Sequence, residues 1–326
     1  MAKIKLEKIL IPIEVGQKKS IAKLLEDMSQ AGFQGRKLAE SFDVLKKMIT
    51  DKNTTILLGY GESLSTIGQW KIISWFIEKG FVDLIVSTGA NISADIIEAM
   101  GFNYYQGSHF VDNQELFHQG LNRYYDIYGK ESDYLKMTEL IADFILTLHQ
   151  NYRYSSREFL FQFGEWLNEK GINSIIATAA KHNIPIFCPA IVDSPYGDAA
   201  VIAKSKGFNL TIDGVKDYLE FTALGKKNKQ TGVFYIGEGV PKDFIQPYYL
   251  HKYAVQITTD SPQWGGLSGC TFEEAVTRGK KIFEGNFVQC YCDATIALPI
   301  IAQALGEKIK KKRKNNLGND KFTFLI

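Results

Sequence analysis

One lysine of this chain stands in a setting where it could act as a covalent nucleophile. Lys280 lies on a predicted helix, residues 271–283, which follows the densest glycine loop in the chain, residues 264–269. A lysine amine is a good nucleophile only when neutral, so burial or nearby cations must lower its pKa. The same helix carries Arg278 and Lys281. Spacing alone does not distinguish Lys280 from an ordinary surface lysine.

Acidic residues form a second group of candidates. They lie at or just after the ends of predicted strands, or at the start of a following helix: Asp193, Asp198, Asp260, Asp293 and Glu274. Carboxylates gathered at one edge of a sheet would hold a metal ion or a polycation, and Trp264 could add a cation–π contact to an amine. No histidine is interleaved among them, which disfavours a transition metal and leaves a hard cation open. We expect no metal site, and each aspartate could equally be a helix cap.

The loops that follow the predicted strands are rich in glycine and hydroxyl residues. They cover residues 59–68, 87–91, 193–198, 237–242, 258–260 and 293–295. Such loops suit a pyrophosphate, because exposed backbone N–H groups and the start of a helix favour anions. None contains the G-x-G-x-x-G fingerprint, and each alone also fits a simple turn.

The elements that must position these residues alternate between strands and helices. Continuous apolar runs predict buried strands at residues 55–60, 84–88, 184–189, 233–236, 254–258 and 288–291. Amphipathic segments predict helices at residues 67–79, 93–100 and 271–283. Continuous hydrophobicity is typical of a parallel sheet covered on both faces. The pattern therefore predicts an α/β fold with a doubly wound, mostly parallel sheet and helices on both faces.

Three segments divide the chain in this interpretation. We predict a helical N-terminal arm over residues 1–45, one α/β catalytic domain over residues 46–306, and a basic C-terminal helix end and tail over residues 307–326. The aromatic stretch 112–170 is predicted to be helical, as core or subunit interface. The basic run near the end is typical of a solvated helix end or tail.

Composition limits the class of protein. The 326 residues are 45% hydrophobic and 23% charged, which fits a globular chain, and the net charge of +2 gives no support for a nucleic-acid partner. Four scattered cysteines favour a reducing compartment. No apolar stretch approaches a membrane span, and the N-terminus lacks the pattern of a signal peptide. We expect a soluble, cytoplasmic protein with no membrane partner.

Several motifs resemble those of the deoxyhypusine synthase family, especially its bacterial "synthase-like" branch. They run in order from about residue 57 to residue 299: LLGYGESLSTIG, DLIVSTGAN, YSSREFL, IPIFCPAIVDSPYGD, GEGVPK, TTDSPQWGGLSGCTFEEAVTRGKK and YCDATIALP. The resemblance implies a Rossmann-like fold that assembles as a homotetramer, with NAD and a polyamine bound at dimer interfaces.

The resemblance also implies roles for particular residues. Lys280 matches the family's imine-forming lysine. The residues that would contact NAD are Ser63, Thr66, Thr88, Gly89, Ala90, Asp193, Thr259, Asp260, Asp293 and Ala294. The residues that would contact the amine substrate are Asp198, Glu274, Trp264, Gly265 and Gly266.

The implied reaction is transfer of an aminobutyl group. NAD removes a hydride from spermidine, Lys280 captures the four-carbon fragment as an imine, and an acceptor amine displaces the lysine before NADH reduces the new imine. This chain departs from the family pattern at three positions. Arg278 replaces a tryptophan, Asp243 replaces a histidine, and Ala94 replaces an acidic residue of the polyamine site. These changes put spermidine as the donor in question.

Three activities therefore stay open. The first is synthesis of a small polyamine, as in a homospermidine synthase, with putrescine or another amine as acceptor. The WGGLSG form favours it, because it is typical of the bacterial branch, whose hosts lack the protein substrate. The second is modification of a lysine on an initiation factor 5A-type protein. The third is an inactive homologue that binds NAD or polyamine.

Overall fold

The computed structural model of the chain describes residues 8–61, 63–227, 230–237, 239–246, 251–277, 285–310 and 313–317. In chain order, the strands of this part are β1 Thr55–Tyr60, β2 Leu84–Ser87, β3 Tyr105–Gln106, β4 Leu121–Tyr124, β5 Ile127–Lys130, β6 Arg153–Tyr154, β7 Ile186–Phe187, β8 Thr211–Ile212, β9 Thr231–Ile236, β10 His251–Thr258 and β11 Asn286–Tyr291. The helices are α1 Ile21–Met28, α2 Phe33–Thr50, α3 Trp70–Glu78, α4 Ala94–Ala99, α5 Asn113–His118, α6 Glu131–Ile145, α7 Ser156–Glu169, α8 Ile175–Lys181, α9 Pro195–Ser205, α10 Gly214–Lys227, α11 Val240–Ile245, α12 Phe272–Thr277 and α13 Ala294–Lys308.

Within the described residues, six strands form one parallel sheet in the order β11-β10-β9-β1-β2-β7. After α1 and α2, the first strand of the sheet is the central strand β1, and the following strands β2 and β7 lie successively further outward on one side. The chain then returns to β9, on the other side of β1, and winds outward to β11. This is the 3-2-1-4-5-6 order of a Rossmann-like sheet. The predicted α/β class with a doubly wound parallel sheet is confirmed.

The sheet is covered on both faces because its side chains alternate between two cores. Leu58 and Tyr60 of β1 point into the larger core, whereas Leu57 points into the smaller one. Helices α2, α3, α7, α8 and α13 contribute to the larger core, and α10, α11 and α12 contribute to the smaller. Every residue of β1 is therefore buried, which explains the continuous apolar run in its sequence.

The predicted elements match the observed ones with shifts at their ends. Strand β7 covers two residues of the six predicted, partly because Pro185 and Pro189 have no N–H and partly because the Cys188 N–H bonds the Ser156 hydroxyl at 2.8 Å. Helix α3 begins three residues later than predicted, after Gly68 turns the chain with a φ of +76°.

The central stretch 112–170 is not helical throughout, so that prediction is wrong in part. Helices α5, α6 and α7 are present, but β4 and β5 form an antiparallel hairpin between them, and β3 pairs with β5. Tyr125, in the turn of the hairpin, has a left-handed φ of +54°. Strand β6 pairs with β8 in a separate small sheet. Tertiary pairing has overridden the helical pattern that we assigned.

The predicted N-terminal arm contains α1 and most of α2. Helix α2 contributes Phe42 to the larger core, and the predicted boundary at residue 45 falls inside it. Glu307 of α13 accepts hydrogen bonds from the Ile21 and Ala22 N–H groups at 3.3 and 2.8 Å, where α1 begins. The division into arm, domain and tail stays a prediction.

Part of the basic tail is held against the body of the protein. The Arg313 guanidinium donates to both carboxylate oxygens of Asp83 at 2.9 and 2.8 Å and also reaches the Thr54 carbonyl. The Asn316 N–H donates to the same carboxylate at 2.9 Å. Arg313 is therefore not the solvated cation that the sequence suggested. Of the helices in the described ranges, none has both the length and the apolar character to cross a bilayer.

Candidate active site

The strand order defines where a ligand should bind. The order reverses between β1 and β9, and open α/β sheets bind ligands beyond the carboxyl ends of the strands at such a point. The strand ends are level there, because Tyr60 pairs with both Ser87 and Ile236. The loops after β1, β2, β9, β10 and β11 therefore open at one edge of the sheet, which we call the carboxyl edge.

The loops after β1 and β2 are tied to each other. Ser65 donates to the Asn91 carbonyl at 2.5 Å, and the Asn91 amide donates to the Thr88 hydroxyl at 3.0 Å. The Thr66 hydroxyl bonds the Ser63 carbonyl at 3.0 Å. The structure thus brings together five of the predicted cofactor residues: Ser63, Thr66, Thr88, Gly89 and Ala90. Ser63 and Ala90 are exposed at the edge, whereas Thr66 is buried.

Gly89 is a glycine for a packing reason. A Cβ at this position would overlap the Ser194 side chain, whose hydroxyl caps the start of α9. The loop after β2 and the start of α9 therefore meet at Gly89. Asp193, the residue before that cap, is exposed.

The loops after β10 and β11 carry three more predicted cofactor residues with side chains at the surface. Thr259, Asp260 and Asp293 are exposed. The Asp260 N–H donates to the Thr258 hydroxyl at 3.0 Å, which holds the backbone turn after β10. Asp293 caps α13 by accepting from the Thr295 N–H at 2.7 Å, so the helix-cap interpretation holds for this residue. Ala294 is buried as the first residue of α13.

The acidic residues share one edge but do not form one cluster. Asp198 lies on α9, which packs in the larger core after β7, and Glu274 lies on α12, which packs on the opposite face after β10. Strands β7 and β10 are four strand spacings apart, about 19 Å. No group of three metal-binding side chains occurs in the part of the chain that the structure describes. Asp198 and Glu274 therefore follow strands that are far apart in the sheet, on helices that cover opposite faces.

Asp198 has a partner that the sequence did not suggest. The Tyr134 hydroxyl of α6 donates to the Asp198 carboxylate at 2.7 Å. Burial and the hydrogen bond to that carboxylate raise the pKa of Tyr134. No local motif distinguishes Tyr134, because its position beside Asp198 depends on the packing of α6 against α9.

The glycine loop after β10 projects from the carboxyl edge. Trp264 ends a short 3₁₀ helix and is 79% exposed, and Gly265 follows with a left-handed φ of +72°. Nothing lies within 4 Å of the position that a Cβ would occupy at Gly266. Where the loop closes, Gly269 lies against the Ser261 carbonyl so tightly that no side chain would fit. These exposed residues, predicted to contact the amine, are available to a ligand.

A fully buried lysine lies beneath this loop. Lys242 of α11 donates to the Gln256 side chain and the Cys270 carbonyl at 2.9 Å each. Its ammonium lies 5.8 Å from the centre of the Phe272 ring. In the sequence, Lys242 belongs to the loop at residues 237–242 and to the GEGVPK motif, and neither marks it as buried. Its burial depends on contacts with β10 and the glycine loop that the sequence does not reveal.

A buried acid underlies the loop after β2. Asp95 of α4 accepts from the Ile175 N–H at 2.6 Å, and its other carboxylate oxygen has no hydrogen-bond partner among the described residues. Burial raises the pKa of Asp95 to about 7. Asp95 thus joins α4 to the start of α8 beneath the loop after β2, and its carboxylate is not exposed to a ligand.

A model of one protein family matches most of the chain. The deoxyhypusine synthase family matches residues 23–305. The chain belongs to this family. The resemblance inferred from the motifs is therefore confirmed.

Relatives of this family occur in archaea and bacteria. The chain is 44% identical over 311 residues to "Probable deoxyhypusine synthase 2" of Methanosarcina acetivorans, covering 91% of this chain and 90% of the relative. It is 37% identical over 304 residues to the "Deoxyhypusine synthase-like protein" of Chlorobaculum tepidum, covering 87% and 86%. It is 33% identical to "Probable deoxyhypusine synthase 1" of the same Methanosarcina species, covering 90% and 93%.

A solved structure shows the same fold. The crystal structure of a "putative deoxyhypusine synthase" from Entamoeba histolytica matches with a TM-score of 0.64 and 20% identity, covering 90% of this chain and 94% of that one. The likeness extends over nearly both chains, so the deoxyhypusine synthase fold includes the helices around the sheet as well as the sheet itself.

Two of the residues that the deoxyhypusine synthase resemblance singled out lie outside the described residues, namely Lys280 and Arg278. The other two departures from the family pattern are within them. Asp243 is exposed in the first turn of α11, and Ala94 is the first residue of α4. Asp243 is two strands away from the loop after β2 that leads to Ala94.

Proposed function

We propose that this chain catalyses NAD-dependent transfer of an aminobutyl group from a polyamine such as spermidine to a small acceptor amine, as a homospermidine synthase-like enzyme. NAD-dependent aminobutyl transfer is the general activity of the deoxyhypusine synthase family, to which the chain belongs. The observation that carries the proposal is the carboxyl edge, where exposed carboxylates and an exposed tryptophan follow strands on both sides of the point at which the strand order reverses.

The residues at the carboxyl edge fit NAD. The crevice between β1 and β9 would receive the pyrophosphate near Ser63 and Ala90, whose side chains are exposed. Asp260 and Asp293 present carboxylates that can accept hydrogen bonds from ribose hydroxyls. When bound, NAD supplies reversible hydride transfer, so that the overall reaction involves no net oxidation.

Lys280 is the proposed nucleophile. Its neutral amine would attack the carbon beside the former secondary amine of the donor, forming a lysine imine and releasing diaminopropane. The acceptor amine would then displace Lys280 from this imine. Because spermidine is a polycation, the acid side chains must neutralise its ammonium groups while Trp264 offers an aromatic face.

The amine site would form between two copies of the chain. Asp198 and Glu274 lie on helices that cover opposite faces of the sheet and follow strands about 19 Å apart, which favours contact with one polyamine from two different copies. This supports an assembly of at least two subunits, and the homotetramer implied by the resemblance would contain such pairs.

The archaeal relatives favour a second candidate, namely deoxyhypusine synthesis on a lysine of a protein. The 44% identical relative carries the name "Probable deoxyhypusine synthase 2". However, the same organism has a "Probable deoxyhypusine synthase 1", to which this chain is only 33% identical. We retain a small amine as the first choice because the WGGLSG form of the glycine loop is typical of the bacterial branch.

Purified protein incubated with NAD and spermidine labelled in its butyl part tests the proposal. We expect label in a new small polyamine when putrescine is added, and release of diaminopropane. Label that appears only in an added initiation factor 5A-type protein would support the second candidate. No diaminopropane under either condition would reject both.

A further inference from the structure

Two glutamines on adjacent strands contact the backbone of the glycine loop. Gln256 of β10 and Gln289 of β11 are direct partners in the parallel register. Each comes two residues after a side chain of the smaller core, Ala254 or Phe287, and therefore lies on the same face of the sheet. The Gln289 amide nitrogen donates to Gln256 Oε1 at 2.8 Å and to the Cys270 carbonyl at 3.1 Å. The Gln256 amide nitrogen donates to the Ser268 carbonyl at 2.7 Å. The end of the loop is thus bonded to the sheet at two carbonyls.

Gln289 of this pair also fixes the start of α12. Gln289 Oε1 accepts from the N–H of Phe272, the first residue of that helix, at 2.9 Å. The Thr271 hydroxyl accepts from the Glu274 N–H at 3.1 Å within the first turn. A side chain from the neighbouring strand therefore satisfies a backbone donor that the helix leaves without an internal partner.

Lys242 determines how the Gln256 amide is oriented. Gln256 Oε1 accepts from both Lys242 and Gln289, so its amide nitrogen must face the Ser268 carbonyl. Each of these contacts pairs a donor with an acceptor. Buried amides are costly without partners, and leucine or methionine would fill the same space on the sheet face. The pair therefore has a role that apolar packing would not provide.

We infer that Gln256 and Gln289 are positioning residues of the amine site, which hold the glycine loop and the first turn of α12 at a fixed place above the sheet. The loop carries the exposed Trp264, and the first turn carries Glu274. This inference rests on the proposed function where it concerns the amine. The positioning of the loop itself does not depend on which reaction the enzyme catalyses.

Hydrogen exchange followed by mass spectrometry tests the positioning directly. In Gln289→Met, we expect peptides covering residues 261–277 to exchange at least about tenfold faster, since the contact to the Cys270 carbonyl, the hydrogen bond to Gln256 and the cap of α12 are removed. Peptides covering β1 and β2 should exchange as in the unaltered protein. Gln246→Met is the matched control, because Gln246, the residue directly after α11, is a buried glutamine with no side-chain hydrogen bond among the described residues.

Kinetics then separates positioning from general stability. We expect Gln289→Met to raise the KM for the amine at least about tenfold while the Kd for NAD changes less than about twofold. If Gln289→Met does not fold, Gln289→Asn serves instead, because the shorter amide stays polar but cannot reach both Cys270 and Phe272. Gln256→Asn should act in the same direction.

Two results would overturn the inference. One is unchanged exchange over residues 261–277 in a folded Gln289 variant, whether or not the enzyme turns over polyamine. The other is a parallel weakening of NAD and amine binding together with faster exchange throughout the sheet. If the unaltered protein has no polyamine activity, the proposed function fails, but the exchange experiment still decides whether the glutamines position the loop.

Discussion

The two edges of the parallel sheet place aspartates in opposite settings. The edge where the strands begin is the amino edge, and Asp83 lies there, directly before β2. Asp83 is fully buried, and its carboxylate accepts hydrogen bonds from the Arg313 guanidinium, the Ile56 N–H and the Asn316 N–H. At the carboxyl edge, Asp193 and Asp260 are exposed and form no ion pair with any residue in the described ranges.

This difference separates stability from binding. A buried carboxylate must be paired and hydrogen-bonded, and Asp83 meets that requirement through a residue near the C-terminus. An exposed carboxylate at the mouth of a crevice retains its charge for a ligand. Substitutions at the amino edge should therefore change stability, and those at the carboxyl edge should change binding or turnover.

The largest expected effect is on turnover. Lys280→Arg keeps the charge but cannot supply a neutral amine, since arginine stays protonated. We expect transfer to fall by at least about a thousandfold, with NAD binding largely intact. Borohydride added to the enzyme with NAD and the true donor should trap a butylamine adduct on Lys280, located by peptide mass spectrometry. Lys281→Arg is the matched control, and an adduct on Lys281 or Lys242 would contradict the assignment.

The next effect is on stability. Arg313→Ala leaves the buried Asp83 carboxylate without its cation, which should lower the free energy of unfolding by about 3–5 kcal/mol in urea titrations. Lys314→Ala, at the exposed neighbouring position, should change it by less than about 0.5 kcal/mol. Loss of turnover in Arg313→Ala without loss of stability would break the distinction between the two edges.

A third effect concerns the amine. Asp198→Asn and Glu274→Gln should each raise the KM for polyamine, because truncating one partner of a desolvated charge pair costs about 2–5 kcal/mol, and should change NAD affinity little. Glu273→Gln, in the same exposed turn of α12, is the matched control. If the Asp198→Asn and Glu274→Gln variants both bind polyamine normally, Asp198 and Glu274 do not have the proposed role.

Mixing the Asp198→Asn and Glu274→Gln variants in one assembly tests whether Asp198 and Glu274 of one amine site come from the same copy of the chain. If one site takes Asp198 from one copy and Glu274 from the other, an assembly of both variants contains some intact sites and regains activity. If both acids belonged to the same copy, every site would keep one defect, and no activity would return.

The smallest effect depends on pH. Burial raises the pKa of Asp95 to about 7, so between its unfolded value and pH 7 the native state binds more protons than the unfolded chain. Asp95 therefore stabilises the fold most at low pH, and that contribution is lost as the pH rises through 7. We expect Asp95→Asn to remove a slope of about 1.4 kcal/mol per pH unit between pH 5 and 7 in unfolding titrations. An unaltered slope would show that Asp95 ionises normally.

Much of the fold followed from the sequence because burial on both faces produces continuous apolar runs. The run at residues 55–60 predicted β1 with the observed bounds. The hairpin of β4 and β5 was missed because its short strands are interrupted by polar residues and flanked by amphipathic helices. The available signal was the strand-forming residues Tyr124, Ile127 and Tyr128 on either side of the two-residue turn at 125–126.

The candidate site was predictable residue by residue but not in its arrangement. Loops at strand ends could be recognised locally, and those after β1 and β2 do meet as Ser65 and Asn91 show. The separation of Asp198 from Glu274 depends on strand order and on which face each helix covers, and both are set by pairings between distant segments. The contact of Tyr134 with Asp198 depends on helix packing in the same way.

The position of β1 at the centre of the sheet has a consequence for synthesis on the ribosome. Thr55 of β1 pairs with Thr231 of β9, which is translated some 176 residues later. Until then, the hydrogen-bonding groups on that side of β1 have no partner strand. At about 5–20 residues per second, that delay is roughly 10–35 s. During this time the nascent chain presents an apolar strand with open hydrogen-bonding groups, which makes it a natural client for chaperones that shield unfinished sheets.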